Sequence, residues 1–137
     1  MASVCTAKHI DHTCIAVKNM EESLKFFQTT FGIVPAEIEL VPDQGVRASY
    51  IKVGSTHLEL IEPTDPQGAI ARFLGDRQSG LHHICFEVDH IADKLKALEK
   101  SGLRLIDKAP RRGVAGMIGF IHPSASRGIL IELAEKV

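Results

Sequence analysis

The chain contains no tryptophan, one tyrosine and six phenylalanines, so it has little material for a cleft lined with stacked aromatic rings. Its three cysteines, Cys5, Cys14 and Cys85, form an odd set without a Cys-x-x-Cys pair. That argues against a disulfide framework and a thiolate zinc site, and it fits a reducing, cytoplasmic setting. Charge of one sign is missing too. Sixteen Lys and Arg stand against 17 Asp and Glu, a net charge of -1, so no global positive field gathers nucleic acid or anionic lipid. No apolar run approaches the roughly 18 residues that span a bilayer, and Pro-rich or low-complexity linkers are absent. A nucleic-acid partner, a membrane protein and a secreted product are all disfavoured.

What the chain does have is an ordinary supply of apolar residues, 45% of 137, with 24% charged. That composition suits one folded domain, spanning 8–135, with a single substantial core. It also has an internal repeat. Ile10-Asp11-His12-Thr13-Cys14-Ile15-Ala16-Val17 is answered by Leu81-His82-His83-Ile84-Cys85-Phe86-Glu87-Val88, an offset of 71 residues from His12 to His83. Both runs have the alternation and β-branched content of strands.

Each run leads into a helical pattern. In the first half Asn19 is the expected cap with Glu22 three residues on; Leu24, Phe27 and Phe31 form the apolar stripe and Gly32 ends it. In the second half Asp89 is the expected cap, Ile91, Leu95 and Leu98 form the stripe, and Gly102 follows. Further strands are expected at 36–40, 46–53 and 57–61, and again at 104–107, 117–122 and 129–133, with a connecting helix over 66–77. The reading is an α+β fold of two tandem βαβββ modules, 8–65 and 80–135.

Side chains alternate across a strand, so Ile15 and Val17 face the helix while His12, Cys14 and Ala16 face the other way. By the same rule Ile84, Phe86 and Val88 back onto the second helix and leave His83, Cys85 and Glu87 on the open face. The last strand of each half carries a lone glutamate among aliphatic residues: Glu59 in Thr56-His57-Leu58-Glu59-Leu60-Ile61, and Glu132 in Gly128-Ile129-Leu130-Ile131-Glu132-Leu133. An unpaired carboxylate buried in mid-strand costs several kcal/mol or changes protonation, so each expects a partner. Two copies of a His-plus-Glu half-site give a His12, Glu59, His83, Glu132 metal centre. Imidazole and carboxylate donors suit zinc, cobalt, nickel, manganese or iron(II) and leave positions open for a ligand.

An isolated strand histidine is more often a hydrogen-bonded structural residue, and a lone glutamate is usually solvated or paired. Those bland readings are applied to His9, His57, His90 and Glu62. For the quartet they must also explain why the same residue types recur at matched places. His82 competes with His83, and the alternation together with the Cys14/Cys85 match favours His83. Cys14 and Cys85 are expected to line the cleft, and Cys5 to have no role.

Taken in order, Ile10-Asp11-His12, Asp43-Gln44-Gly45-Val46, Leu58-Glu59-Leu60-Ile61-Glu62-Pro63, Gly80-Leu81-His82-His83-Ile84, Phe120-Ile121-His122-Pro123 and Gly128-Ile129-Leu130-Ile131-Glu132-Leu133 resemble the methylmalonyl-CoA epimerase family of the vicinal-oxygen-chelate superfamily. The likeness spans nearly the whole chain. It implies a curved mixed sheet around a metal site and one divalent ion (Co, Zn, Mn or Ni). It also implies an acyl-CoA substrate and a homodimer. The implied reaction interconverts (2R)- and (2S)-methylmalonyl-CoA by removing and returning the C2 proton through a metal-stabilised enolate. The family's catalytic glutamate on the last strand maps onto Glu132, and symmetry makes Glu59 its opposite number.

The chain also departs from the pattern. Some relatives carry a further glutamate just after the Gln-Gly-Val turn, where this chain has Arg47 and Ala48, so that base is not carried over. Ser124 stands where a lysine usually follows the His-Pro pair, with Arg127 nearby. Lys108, Arg111, Arg112 and Arg127 are candidates for CoA phosphates, against exposed solubilising charge as the alternative. Two other functions use the same fold: a glyoxalase I-like lactoylglutathione lyase, whose ligand types are the same, and a metal-free protein that sequesters small molecules, which would need an aromatic-lined cleft.

Overall fold

The structure, a computed structural model, describes residues 2–137. Its elements run β1 (His9–Val17), α1 (Met20–Phe31), β2 (Ile38–Val41), β3 (Val46–Val53), β4 (Thr56–Pro63), α2 (Ala69–Leu74), β5 (Ser79–Glu87), α3 (Ile91–Lys100), β6 (Arg111–Gly113), β7 (Gly116–Ile121) and β8 (Ile131–Glu135). The βαβββ order therefore occurs twice, with a short helix between. The chain packs as two compact units: Thr13–His82, and the segment ending at His12 together with His83–Val137.

In the unit Thr13–His82, β2, β3 and β4 form an antiparallel meander, with Tyr50 opposite Glu59 and Ala48 opposite Ile61. The alternation read from the sequence sorts its two faces. Val17, Ile51 and Leu60, with Ile15 and Leu58, pack under Met20, Leu24 and Phe27 of α1. Cys14, Ala16, Val46, Ala48 and Ile61 pack on the other face against Ile70, Phe73 and Leu74 of α2. Cys14 is thus a core residue, because α2 covers the face it was expected to leave open. Asn19 caps α1 as expected, its side-chain oxygen accepting the Glu22 N–H at 3.0 Å, and Gly32 ends the helix in the left-handed region at φ 67°. Phe31 departs from the expected stripe. It is 64% exposed and meets only the rings of Phe26 and Phe27 among aromatic side chains, since the core-facing row stops at Phe27.

In the second unit β5 runs parallel to β8, and β8, β7 and β6 pair antiparallel, so the sheet is mixed. Val88, Ile91, Leu95, Leu98, Ile121 and Leu133 form its apolar core, with Phe86 packed against them as the alternation requires. Two local expectations are corrected. Asp89 does not cap α3. His90 takes a left-handed turn at φ 51°, and the Glu135 carboxylate at the end of β8 accepts the N–H groups of His90 and Ile91, both at 3.2 Å. Asp89 instead pairs with Lys8. The segment 104–107 makes only one bridge, Leu105 to Ile121, because the Asp107 carboxylate accepts the Phe120 N–H at 2.8 Å in place of a backbone carbonyl. Strand pairing resumes after Pro110, at β6.

Candidate metal centre

Three of the four expected ligands lie in the second unit and converge. His12 near the start of β1, His83 in β5 and Glu132 in β8 are 1%, 8% and 4% exposed. Their positions follow from the register: Glu132 stands opposite Cys85 on β5 and Phe120 on β7. One Glu132 oxygen, Oε1, lies 3.1 Å from His12 Nε2 and 2.9 Å from His83 Nε2, and the two Nε2 atoms are 3.3 Å apart. Ligand atoms from all three residues lie within 4.8 Å of one another. Burial alone would raise the Glu132 carboxyl; hydrogen bonds from His12 and His83, with their charges, outweigh it and hold the group at about 2. Glu132 is therefore an anion at neutral pH.

The two imidazoles are held differently. His12 Nδ1 is 2.7 Å from Asp11 Oδ2, and the other Asp11 oxygen is 2.5 Å from Lys136 Nζ. His83 has the Phe120 ring edge-on at 5.2 Å, with the Arg111 guanidinium 5.7 Å from the same ring and anchored on Asp107.

This donor set fits a cation. An ionised carboxylate only accepts hydrogen bonds. Placed between the carboxylates of Asp11 and Glu132, a neutral His12 ring can donate to only one of them. A cation at Nε2 would suit that neutral ring, with His12 holding it through Nε2 and the Nδ1–H donating to Asp11. Cys85 lies beside His12 and Asp11, and burial first, then the Glu132 charge, push its thiol up to about 12 against the His12 hydrogen bond.

Glu59 belongs to the unit Thr13–His82. It is 6% exposed on β4, opposite Tyr50, and the Tyr50 ring stacks on His57 at 4.1 Å. His82 lies in that unit as well, edge-on to Phe73 at 4.8 Å, while His83 is the member of the pair beside Glu132. His9 binds Glu87, and Glu62 accepts the Met20 N–H and pairs with Arg47, so both hold structural places. Sequence reasoning gave no role to Asp11 or Lys136. Asp11 left one signal, an acid immediately before a ligand histidine. Lys136 left none, since its contact spans nearly the whole chain.

The sequence pattern of the Glyoxalase/Bleomycin resistance protein/Dioxygenase superfamily matches residues 11–120. The uncharacterized protein YqjC of Bacillus subtilis is 36% identical over 92% of this chain and 91% of its own length. The mitochondrial methylmalonyl-CoA epimerase of Dictyostelium discoideum is 35% identical over 93% of this chain and 78% of its own. A solved methylmalonyl-CoA epimerase in complex with methylmalonyl-CoA and NH4+ superposes with a TM-score of 0.89 at 30% identity, covering 96% of both chains. Matched along nearly its whole length, the chain belongs to the Glyoxalase/Bleomycin resistance protein/Dioxygenase superfamily and, within it, to the methylmalonyl-CoA epimerase family of enzymes.

Proposed function

We propose that this enzyme interconverts the (2R) and (2S) forms of methylmalonyl-CoA at a divalent metal centre held by His12, Glu59, His83 and Glu132. The observation that carries the reading is the meeting of His12, His83 and Glu132 in a buried, cation-demanding cluster. Its support comes from the relatives, one of which holds methylmalonyl-CoA. Glu59 enters as the fourth donor because it repeats Glu132 in the other module and is a buried carboxylate. Co, Zn, Mn or Ni at these donors would polarise the thioester carbonyl and offset the charge left when C2 loses its proton.

The chain's own residues then move the proton. Glu132 accepts the C2 proton at a carboxylate oxygen on one side, Glu59 in its protonated form delivers a proton from the other, and exchange with water then deprotonates Glu132 and reprotonates Glu59, so the configuration inverts with no net change in composition. For the CoA phosphates, Lys108 is engaged by Glu99 and Arg111 by Asp107, whereas Arg112 and Arg127 make no ion pair among the described residues. Arg112 and Arg127 are assigned that contact. Residues 8–135 act as one domain of a cytoplasmic homodimer in this reading. Among the described residues the three cysteines are free and no helix is long and apolar enough to cross a membrane.

The test is deuterium incorporation at C2 of methylmalonyl-CoA in heavy water, before and after chelation. Exchange lost on chelation and restored by cobalt is expected. Exchange that survives complete demetallation, or turnover confined to a glutathione hemithioacetal, would overturn the assignment.

A further inference from the structure

Asp11 and Lys136 lie outside the ligand set, yet both are built against it. Asp11 is buried at 1% exposure, and its two oxygens face in different directions. Oδ2 meets His12 Nδ1 at 2.7 Å and Oδ1 meets Lys136 Nζ at 2.5 Å. Lys136 follows directly on β8, four residues after Glu132. One carboxylate therefore ties the strand that carries His12 to the chain that has just supplied Glu132.

We propose that Asp11 and Lys136 are positioning residues of the metal centre, Lys136 fixing one oxygen of Asp11 so that the other holds the proton on His12 Nδ1 and turns the Nε2 lone pair toward the cation. The inference rests on the metal-centre reading above. A neutral imidazole has one N–H, and the bond made by one ring nitrogen decides what the other presents. An acceptor on Nδ1 selects the tautomer whose Nε2 can ligate. A lone buried aspartate would be a poor tether, because it is costly to leave unpaired and free to swing toward water. The Lys136 ammonium satisfies its second oxygen and fixes its plane. Lys136, just beyond β8, is thereby part of the donor geometry through Asp11.

The test compares wild type with Asp11→Asn, Asp11→Ala, Lys136→Gln and Lys136→Arg, without substrate. Cobalt affinity is measured by competition with a chromophoric chelator, melting temperature records stability, and imidazole nitrogen spectra with and without zinc record the His12 tautomer. Asp11→Ala is expected to weaken cobalt binding about 10- to 100-fold, the range for loss of a carboxylate behind a ligating histidine. Lys136→Gln should weaken it less, Lys136→Arg should restore it, and the Nδ1–H signal should fade in step with affinity. Should Asp11→Ala fail to fold, Asp11→Asn and the half-exposed Lys136 variants carry the comparison. Variants that melt earlier but bind cobalt like wild type, with the tautomer unchanged, would reduce the pair to a structural ion pair and overturn the inference alone. A folded wild-type chain that takes up no cation would instead overturn the metal-centre reading, and this inference with it.

Discussion

His12 and His83 are repeats of one another, yet the surroundings that hold them have diverged. His12 leans on a charged brace, Asp11 backed by Lys136. His83 leans on an aromatic edge, Phe120, with Arg111 against the same ring. At the position matching Asp11 the second half has His82, which lies against Phe73 instead. Duplication kept the two imidazoles. It left the supports free to differ, because a hydrogen bond and a packed ring can each fix an imidazole plane.

The comparison breaks most completely at Glu132, which both imidazoles share. Glu132→Gln should abolish C2 exchange, a loss of at least about 100-fold on the usual scale of general-base catalysis, and should lower metal content in the same preparation. Next in size is the histidine pair. His83→Ala should empty the site as measured by metal analysis of the purified protein, while His82→Ala, at the residue edge-on to Phe73, should leave metal content near wild type.

A third measurement separates charge from packing through pH. With Glu132 held at about 2 against an ordinary 4.5, the folded metal-free chain binds fewer protons than the unfolded one between those values. Stability therefore rises with pH across that window. The contribution of the ionised group is fully present above 4.5, is lost as pH falls through 2, and is on the order of 3 kcal/mol. Denaturant melts of wild type and Glu132→Gln should converge in acid and diverge toward neutral pH. A gap independent of pH would assign the effect to packing.

The smallest effect is expected at the aromatic support. Phe120→Leu keeps an apolar contact but removes the ring edge, worth about 0.5–1.5 kcal/mol beyond buried area. Cobalt affinity should fall by less than in Asp11→Ala. A larger fall would reverse the ranking of the two supports.

The parts legible in sequence were those with a local or repeated signature. Asn19, Glu22 and Gly32 mark α1 within a short stretch of chain, and alternation sorts Ile15 and Val17 from Cys14 and Ala16. The paired His and Glu stood out because the chain states them twice. What escaped was supplied from far along the chain. Nothing near Asp89 reveals that Glu135 serves the start of α3, and nothing near 104–107 reveals that Asp107 spends its carboxylate on Phe120. The cover that α2 gives Cys14 is a tertiary fact of the same kind.

Arg47 stands just after the Gln-Gly-Val turn. Its guanidinium spans Glu62 on β4 and Glu21 in the first turn of α1, while Glu62 also receives the Met20 N–H. That site is committed to fastening a helix onto a hairpin. The substitution Arg47→Glu would crowd three carboxylates around one corner and unmoor α1, so placing an acid there would take compensating changes at Glu21 and Glu62 together.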